Sequence, residues 1–177
     1  LTEGKTSGKQ SAVDQIPVSV ALTSAGANGI SVSGNLAANG KLSVYNKTGA
    51  MDVSGKLTNK NGELALSNGA NASAMTLAST AKLTNTKGNI SIINNGKGAL
   101  SNAATVKASG DLNIVNDVNG SKSNGMTITG SNEADIVRIM NRAGKLAFSG
   151  NAKGRTVSVR NYGNSGMEVG GTISATE

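Results

Sequence analysis

The pentapeptide Leu112-Asn113-Ile114-Val115-Asn116 follows a simple rule: apolar, any residue, aliphatic, any residue, Asn. Five further pentapeptides obey it, so that the six begin at positions 42, 64, 90, 112, 137 and 157. The pattern therefore recurs with a mean period of roughly 23 residues, which falls in the range of about 20–25 that is typical of solenoids. In a solenoid each turn of the chain stacks on the one before.

The alternation within each pentapeptide predicts a β-strand whose first and third residues face the interior. The Asn at position five comes where the strand stops, and Asn suits a corner because it tolerates left-handed backbone and bonds nearby backbone groups. One such Asn would be only a common turn residue. In stacked coils the six side chains lie above one another, where amides can donate and accept in turn. The sequence therefore predicts an asparagine ladder made of Asn46, Asn68, Asn94, Asn116, Asn141 and Asn161.

Two further strand signals follow each pentapeptide, such as Met126-Thr127-Ile128 and then a single apolar anchor such as Val106. The sequence thus predicts an all-β protein: a right-handed parallel β-helix of about seven coils of ~23 residues, with three short strands per coil. Residues 1–17 form a polar segment that leads into it, and residues 18–177 are the β-helix, a segment of a larger protein. The third strand weakens near residues 132–135 and at Ala152, and the long corners at 68–75 and 116–126 are expected to protrude. An antiparallel sandwich would leave the three-part repeat unexplained.

The composition of the chain excludes several kinds of functional site. The chain has no Cys and no His, and aromatic residues make up 2% of it, so disulfides, thiolate metal sites and the usual catalytic triad are excluded. We expect no enzyme activity, cofactor or metal site; the closest carboxylates, Glu133 and Asp135, are expected to form a surface ion pair with Arg138. No apolar run reaches the length of a membrane span, so no membrane insertion is expected. The net charge of +7 comes without an aromatic platform or motif for nucleic acid, which is therefore not an expected partner.

One outward-facing feature suggests a contact surface. Position four of the pentapeptides faces solvent by alternation, and in three successive coils it is Ile93, Val115 and Met140. All four arginines of the chain fall within residues 138–160. An exposed apolar stripe bordered by Arg is typical of binding surfaces, although aliphatic residues also favour strands for packing reasons alone. The candidate contact surface consists of Tyr45, Ile93, Val115, Met140, Arg138 and Arg160.

The repeat style resembles a known family. The stacked pentapeptides, phrases such as Gly55-Lys56-Leu57-Thr58-Asn59, the few aromatics and the lack of Cys resemble the filamentous haemagglutinin-like and high-molecular-weight adhesin exoproteins of bacterial two-partner secretion. The resemblance covers residues 18–177 and implies a right-handed β-helix, export through an outer-membrane transporter partner, and a secreted or outer-membrane-associated cell-surface location. The Asn-Pro-Asn-Gly motif of the family's secretion domain is absent, since the only Pro follows Ile16. The resemblance thus implies a shaft or receptor-binding segment.

The leading hypothesis is a segment of an adhesin fibre that attaches to host cells, glycans or biofilm partners without catalysis. Its expected partners are a host-cell receptor or glycan, and self-association is a further expectation. A shaft of a secreted toxin or contact-dependent growth-inhibition exoprotein would look the same. A β-helical polysaccharide lyase would need a groove of acidic and basic residues that the sequence does not single out. An ice-binding rod would need a regular Thr array, and only Met126-Thr127-Ile128-Thr129 hints at one.

Overall fold

The computed structural model describes residues 18–116 and 125–176, and all regular structure in them is β-strand. The strands run along three sides of a stack of coils as three parallel sheets, the first two of which are joined through the long strands β4 and β6. The first sheet consists of β1 (Ser19–Ser24), the start of β4 (Lys41–Val53), the start of β6 (Leu64–Leu77), β8 (Ile90–Asn94), β11 (Asp111–Asn116), β14 (Ile136–Asn141) and β17 (Thr156–Asn161). The second consists of β2 (Ile30–Val32), the ends of β4 and β6, β9 (Leu100–Asn102), β12 (Met126–Ile128), β15 (Leu146–Phe148) and β18 (Met167–Val169). The third consists of β3 (Leu36–Ala38), β5 (Lys56–Asn59), β7 (Lys82–Asn85), β10 (Thr105–Ala108), β13 (Ser131–Glu133), β16 (Asn151–Gly154) and β19 (Thr172–Ala175).

Every described strand pairs in parallel with its counterpart in a neighbouring coil. In the first sheet, Leu112 of β11 lies beside Ile90 on one side and Val137 on the other. In all three sheets each strand lies one coil away from the strand it pairs with. This confirms the predicted parallel β-helix of about seven coils. Parallel strands need a long connection back to the start of the next strand, and here the other two sides of the coil supply it.

The core is the space enclosed by the three sheets. Alternation along each strand of the first sheet sends its first and third pentapeptide residues inward, where they are buried in the interior coils. Each such aliphatic side chain stabilises the fold by about 1.5–3 kcal/mol relative to exposure. Because identical positions stack, the interior consists of columns of like residues. The two columns of the first sheet's interior coils are Leu42, Leu64, Ile90, Leu112 and Val137, and Val44, Leu66, Ile92, Ile114 and Ile139.

The third sheet is continuous where the sequence predicts it to weaken. β13 pairs with β10 on one side and β16 on the other, and Asn132 and Ala152 continue the column to which Val106 belongs. The expected weakening near residues 132–135 and at Ala152 is therefore wrong. Backbone pairing with both neighbouring coils maintains the strand even where the inward side chain is small or polar.

The long corner at residues 68–75 is strand rather than loop. It lies within β6, whose pairing with β4 shifts in register between Asn46 and Thr48 and again between Gly49 and Met51. The extra length of this corner is thus absorbed as two bulges in a strand that remains paired. The corner that begins at Asn116 has residues 117–124 outside the described part of the chain.

The corner after the second sheet requires glycine in several coils because successive chains approach closely there. A Cβ atom at Gly150 would lie 2.2 Å from the carbonyl oxygen of Gly130 in the coil before, and one at Gly130 would lie 2.0 Å from the carbonyl oxygen of Ala104. Both distances are far below contact, so a side chain would force the coils apart. The glycines of the Ser-Gly and Thr-Gly pairs therefore allow successive coils to approach closely at this corner.

Candidate functional site

The six predicted ladder asparagines lie in one column at the corner between the first and second sheets. The Nδ2 of each of the first five donates a hydrogen bond to the Oδ1 of the next Asn, with N–O distances of 3.1, 3.0, 2.8, 2.8 and 2.7 Å from Asn46 to Asn161. Each Nδ2 also donates to a backbone carbonyl of its own corner, for example from Asn94 to Gly98 at 2.9 Å. These amides are buried in all but the last coil, and mutual pairing removes the cost of burying them.

Where a described ladder corner has left-handed backbone, glycine supplies it and not the ladder asparagine. Within the described residues no residue other than glycine has a positive φ, and Gly49 and Gly144, with φ of 74° and 67°, follow ladder residues by three positions. The Asn side chain acts as the hydrogen-bond partner of the corner: Asn46 and Asn141 donate to the carbonyl oxygens of Gly49 and Gly144. The expectation that Asn itself takes the left-handed conformation is therefore wrong, because every ladder asparagine lies in an extended strand.

The ladder begins with a serine. Ser24 lies in register with Asn46, and its Oγ donates to the carbonyl oxygen of Gly29 at 2.7 Å, as Asn46 donates to Gly49. A hydroxyl is shorter than an amide and does not reach the next coil. Among the described residues, the Oδ1 of Asn46 consequently accepts no hydrogen bond.

Further buried asparagines line the third sheet, and the sequence reasoning did not identify them. Asn59 and Asn85 end β5 and β7 in register, and each Nδ2 donates to a carbonyl oxygen one coil back, on Gly40 at 2.9 Å and on Gly62 at 2.8 Å. The signal was the repeated phrase Leu-Thr-Asn at residues 57–59 and 83–85, which ends in Asn as the pentapeptides do. Asparagine amides therefore join neighbouring coils at a second corner as well. There they bond to backbone carbonyl oxygens and not to one another.

A third polar contact crosses the core itself. Asn102 and Asn132 are fully buried, and Nδ2 of Asn102 donates to Oδ1 of Asn132 at 3.0 Å. Asn102 takes the column position of Leu77 and Ile128. The pair thus joins the second sheet of one coil to the third sheet of the next, at two positions that are apolar in the neighbouring coils.

The candidate contact surface forms one row across the outer face of the first sheet. Strand register places its members side by side, with Ser67 between the first two: Tyr45, Ser67, Ile93, Val115, Met140 and Arg160. Tyr45 and Arg160 are exposed, while the side chains between them are partly shielded by their neighbours. Arg138 lies in the adjacent outer row, between Asn113 and Ser158.

The arginine end of this row contains a shallow cavity of about 240 Å³. Arg160 donates from Nε to the hydroxyl of Ser158 at 3.0 Å and from a terminal nitrogen to the hydroxyl of Tyr162 at 3.4 Å. Arg138 donates to Asp111 of the preceding coil at 2.7 Å. The cavity is lined by Ile136, Arg138, Ile139, Met140, Thr156, Ser158 and Arg160. It therefore combines guanidinium groups and hydroxyls with an apolar floor.

Ion pairs connect neighbouring coils along the outside of the stack. Asp135 accepts two hydrogen bonds from Arg155 at 2.9 and 3.0 Å, which lower the pKa of this exposed carboxyl and raise that of Arg155. Lys145 lowers the pKa of Glu168 in the same way. Glu133 pairs with Lys107 at 3.3 Å. The expected cluster of Glu133 and Asp135 with Arg138 is therefore wrong, since each of the three charges pairs with a different residue of an adjacent coil.

No family model, curated protein or solved structure matches this chain.

The described residues hold no group of three or more acidic, His or Cys side chains that could bind a metal ion. Within residues 18–116 and 125–176 there is also no helix that could cross a membrane. A cavity of about 630 Å³ lies against β1 and β2. Among the described residues, the features with the geometry of a binding surface are thus the outer face of the first sheet and this cavity.

Proposed function

We propose that this chain is a segment of a secreted or surface-anchored bacterial adhesin fibre, which attaches the cell to host cells, glycans or biofilm partners without catalysis. The observation that carries the proposal is the in-register stack of coils, whose outer face offers one continuous row of side chains along its length. A solenoid of this kind is a rigid spacer that presents an extended surface. The resemblance of the repeat to the filamentous haemagglutinin-like exoproteins supports the same function.

In this proposal the attachment surface is the candidate contact surface, whose residues form a row on the first sheet (the contact row). The ligand of this surface is an acidic glycan. The apolar centre of the row, Ile93, Val115 and Met140, gives a sugar ring a surface to pack against. The cavity beside Met140 adds the guanidinium groups of Arg138 and Arg160, which match carboxylate or sulfate groups. The net charge of +7 favours the approach of a polyanion to the whole chain.

Binding of the labelled chain to host cells and to an array of acidic and neutral glycans tests the proposal. We expect the triple variant Ile93→Ser, Val115→Ser, Met140→Ser to bind about tenfold more weakly, the loss that corresponds to about 1.4 kcal/mol. Arg160→Gln should lower binding to acidic glycans and leave neutral ones unaffected. The matched control is Thr58→Ser, Thr84→Ser, Thr105→Ser on the third sheet, which removes three methyl groups from a different outer face.

Two results would count against the proposal. Unchanged binding by the triple variant would mean that the contact row is only a packed strand face. Release of unsaturated sugars from acidic polysaccharides by the wild-type chain would instead establish a lyase. Circular dichroism of each variant reports whether its β-structure is intact, so that a loss of binding is not confused with a loss of fold.

A further inference from the structure

Two neighbouring strands of the third sheet carry a group of exposed lysines. Lys56 of β5 lies directly beside Lys82 of β7. Lys60 and Lys87 follow the ends of the same strands, at the corner that leads back to the first sheet. All four of these residues, the lysine group, are exposed, and none forms an ion pair with a described residue. Because β5 and β7 pair with each other and with β3 and β10, the lysine group lies away from both ends of the stack.

Charges on the outer face of this sheet are compensated in other coils but not in the lysine group. Lys107, Glu133 and Lys153 lie side by side in one row and alternate in sign, and Lys107 pairs with Glu133 at 3.3 Å. Lys56 and Lys82 instead place like charges directly opposite each other on adjacent strands, an arrangement that is destabilising. The lysine group therefore does not stabilise the fold, and anions from outside the chain would neutralise it.

The lysine group is spread over a plane and not along a line. The Cα atoms of Lys56 and Lys60 are about 13 Å apart along the strand, and those of Lys56 and Lys82 are about 4.8 Å apart across the sheet. The outward residues between them are the half-buried Thr58 and Thr84, which lie side by side. A linear polyanion laid in either direction would reach only some of the four ammonium groups, whereas a flat layer of anions reaches all of them. The lysine group therefore has the geometry of a contact with a charged surface.

We propose that the lysine group binds the anionic phosphate headgroups of a lipid bilayer, so that the third sheet lies flat on the bilayer surface. Each lysine near such a surface is attracted by its negative potential. An ammonium group binds phosphate as a compact point charge. The contact is electrostatic and involves no insertion into the bilayer. Because the three sheets form three sides of the stack, the contact row on the first sheet stays uncovered.

Co-sedimentation of the full 177-residue chain with lipid vesicles tests this contact. The vesicles contain phosphatidylcholine alone or phosphatidylcholine with phosphatidylglycerol. We expect binding to the anionic vesicles only, and weaker binding as salt is added, because salt screens the attraction. The double variant Lys56→Gln, Lys82→Gln should bind about 25-fold more weakly, which is about fivefold for each lysine.

The matched control is the double variant Lys47→Gln, Lys97→Gln, which lowers the net charge by the same amount. Both of these lysines are exposed, have no ion pair to a described residue, and lie at the corner between the first and second sheets. Since this corner does not face the bilayer in the proposed contact, the control should lose about twofold or less. The difference between the two double variants thus separates a contact of the third sheet from a general effect of net charge.

A charge reversal separates binding from folding. Lys82→Glu places opposite charges side by side, so urea denaturation should show no loss of stability. Binding to anionic vesicles should still weaken about 25-fold, because the charge changes by two. This inference is independent of the proposed attachment function, since none of the four lysines belongs to the contact row, and the triple serine variant of that row should bind vesicles as the wild type does.

Four results would overturn the proposal. They are equal binding to neutral and anionic vesicles, equal losses in the two double variants, wild-type binding by Lys82→Glu, and a soluble polyanion as the true ligand. Heparin, a sulfated polysaccharide, tests the last of these. If binding to heparin depends on Lys56 and Lys82 while binding to vesicles does not, the partner is a linear polyanion and not a bilayer.

Discussion

At the scale of the residue, buried amides determine how firmly one coil is held to the next. Asn102 and Asn132 illustrate the rule, because each takes a position that is apolar in the neighbouring coils, and their amides are hydrogen-bonded to each other and to nearby backbone groups. Removing one partner leaves a buried polar group without a hydrogen bond, which costs about 1–3 kcal/mol. Removing both leaves neither side chain with an unpaired amide, although backbone groups such as the N–H of Ala104 still lose their partner.

The double-mutant cycle of this pair is therefore expected to be strongly non-additive. Asn102→Leu and Asn132→Val should each lower the free energy of unfolding by about 1–3 kcal/mol, and the double variant should lose about 1–2 kcal/mol less than the two losses combined. Urea denaturation followed by circular dichroism measures all four proteins. Asn113→Ala, on the outer face of β11, is the control and should change stability by about 0.5 kcal/mol or less. Additive losses would mean that the two amides act separately.

At the scale of the element, the sequence predicted the repeating strands of the first sheet but not all the contacts that join one coil to the next. The pentapeptide identified the strands of the first sheet and their register, because the period of two and the corner Asn are both local signals. The strand at Asn132 in the third sheet was not predicted, because pairing with both neighbouring strands stabilises it although its own side chains carry no strand pattern. The ion pairs were assigned to neighbours in sequence for the same reason: Asp135 and its partner Arg155 are far apart in sequence and lie in different coils.

The ion pair between Asp135 and Arg155 predicts a pH dependence of stability. Arg155 lowers the pKa of Asp135 in the folded state below the ordinary 3.8, so the unfolded state binds a proton first as the pH falls. The contribution is present above the unfolded-state pKa and is lost as the pH falls through the lowered folded-state pKa. Urea midpoints of the wild type should therefore decrease below about pH 4, and Asp135→Asn should reduce that slope.

The size of this effect should be small, since exposed ion pairs contribute little to stability. Asp52→Asn is the matched control, because Asp52 is an exposed strand residue without an ion pair to any described residue. High salt should remove the difference between the wild type and Asp135→Asn. An acid slope that is the same in all three proteins would assign the pH dependence to other carboxylates.

At the scale of the whole molecule, the structure is a stack in which each coil contacts only its neighbours. Stability should then be nearly a sum over coils and over the contacts between them, and a complete extra coil should be tolerated. Residues 90–111 form one complete coil, and its positions 90, 94, 100 and 106, taken from the first sheet, the ladder corner, the second sheet and the third sheet, have the same intervals as positions 157, 161, 167 and 173 of the last coil. A second copy of these residues, inserted after Asp111, should stack on the first and lengthen the rod by about 4.8 Å.

The inserted coil should raise the free energy of unfolding or leave it unchanged, because it adds one coil and one contact. An insertion of half the length, residues 90–100 repeated after Leu100, adds similar chemistry but turns every later strand away from its partner, and it should unfold the coils that follow. Small-angle scattering measures the length, and urea denaturation measures the stability. The decisive comparison is between the two insertions: since a coil is the unit that carries the stacking contacts, only the whole coil can be added without loss. Equal damage by both would mean that the chain depends on contacts beyond neighbouring coils, which a one-dimensional stack does not contain.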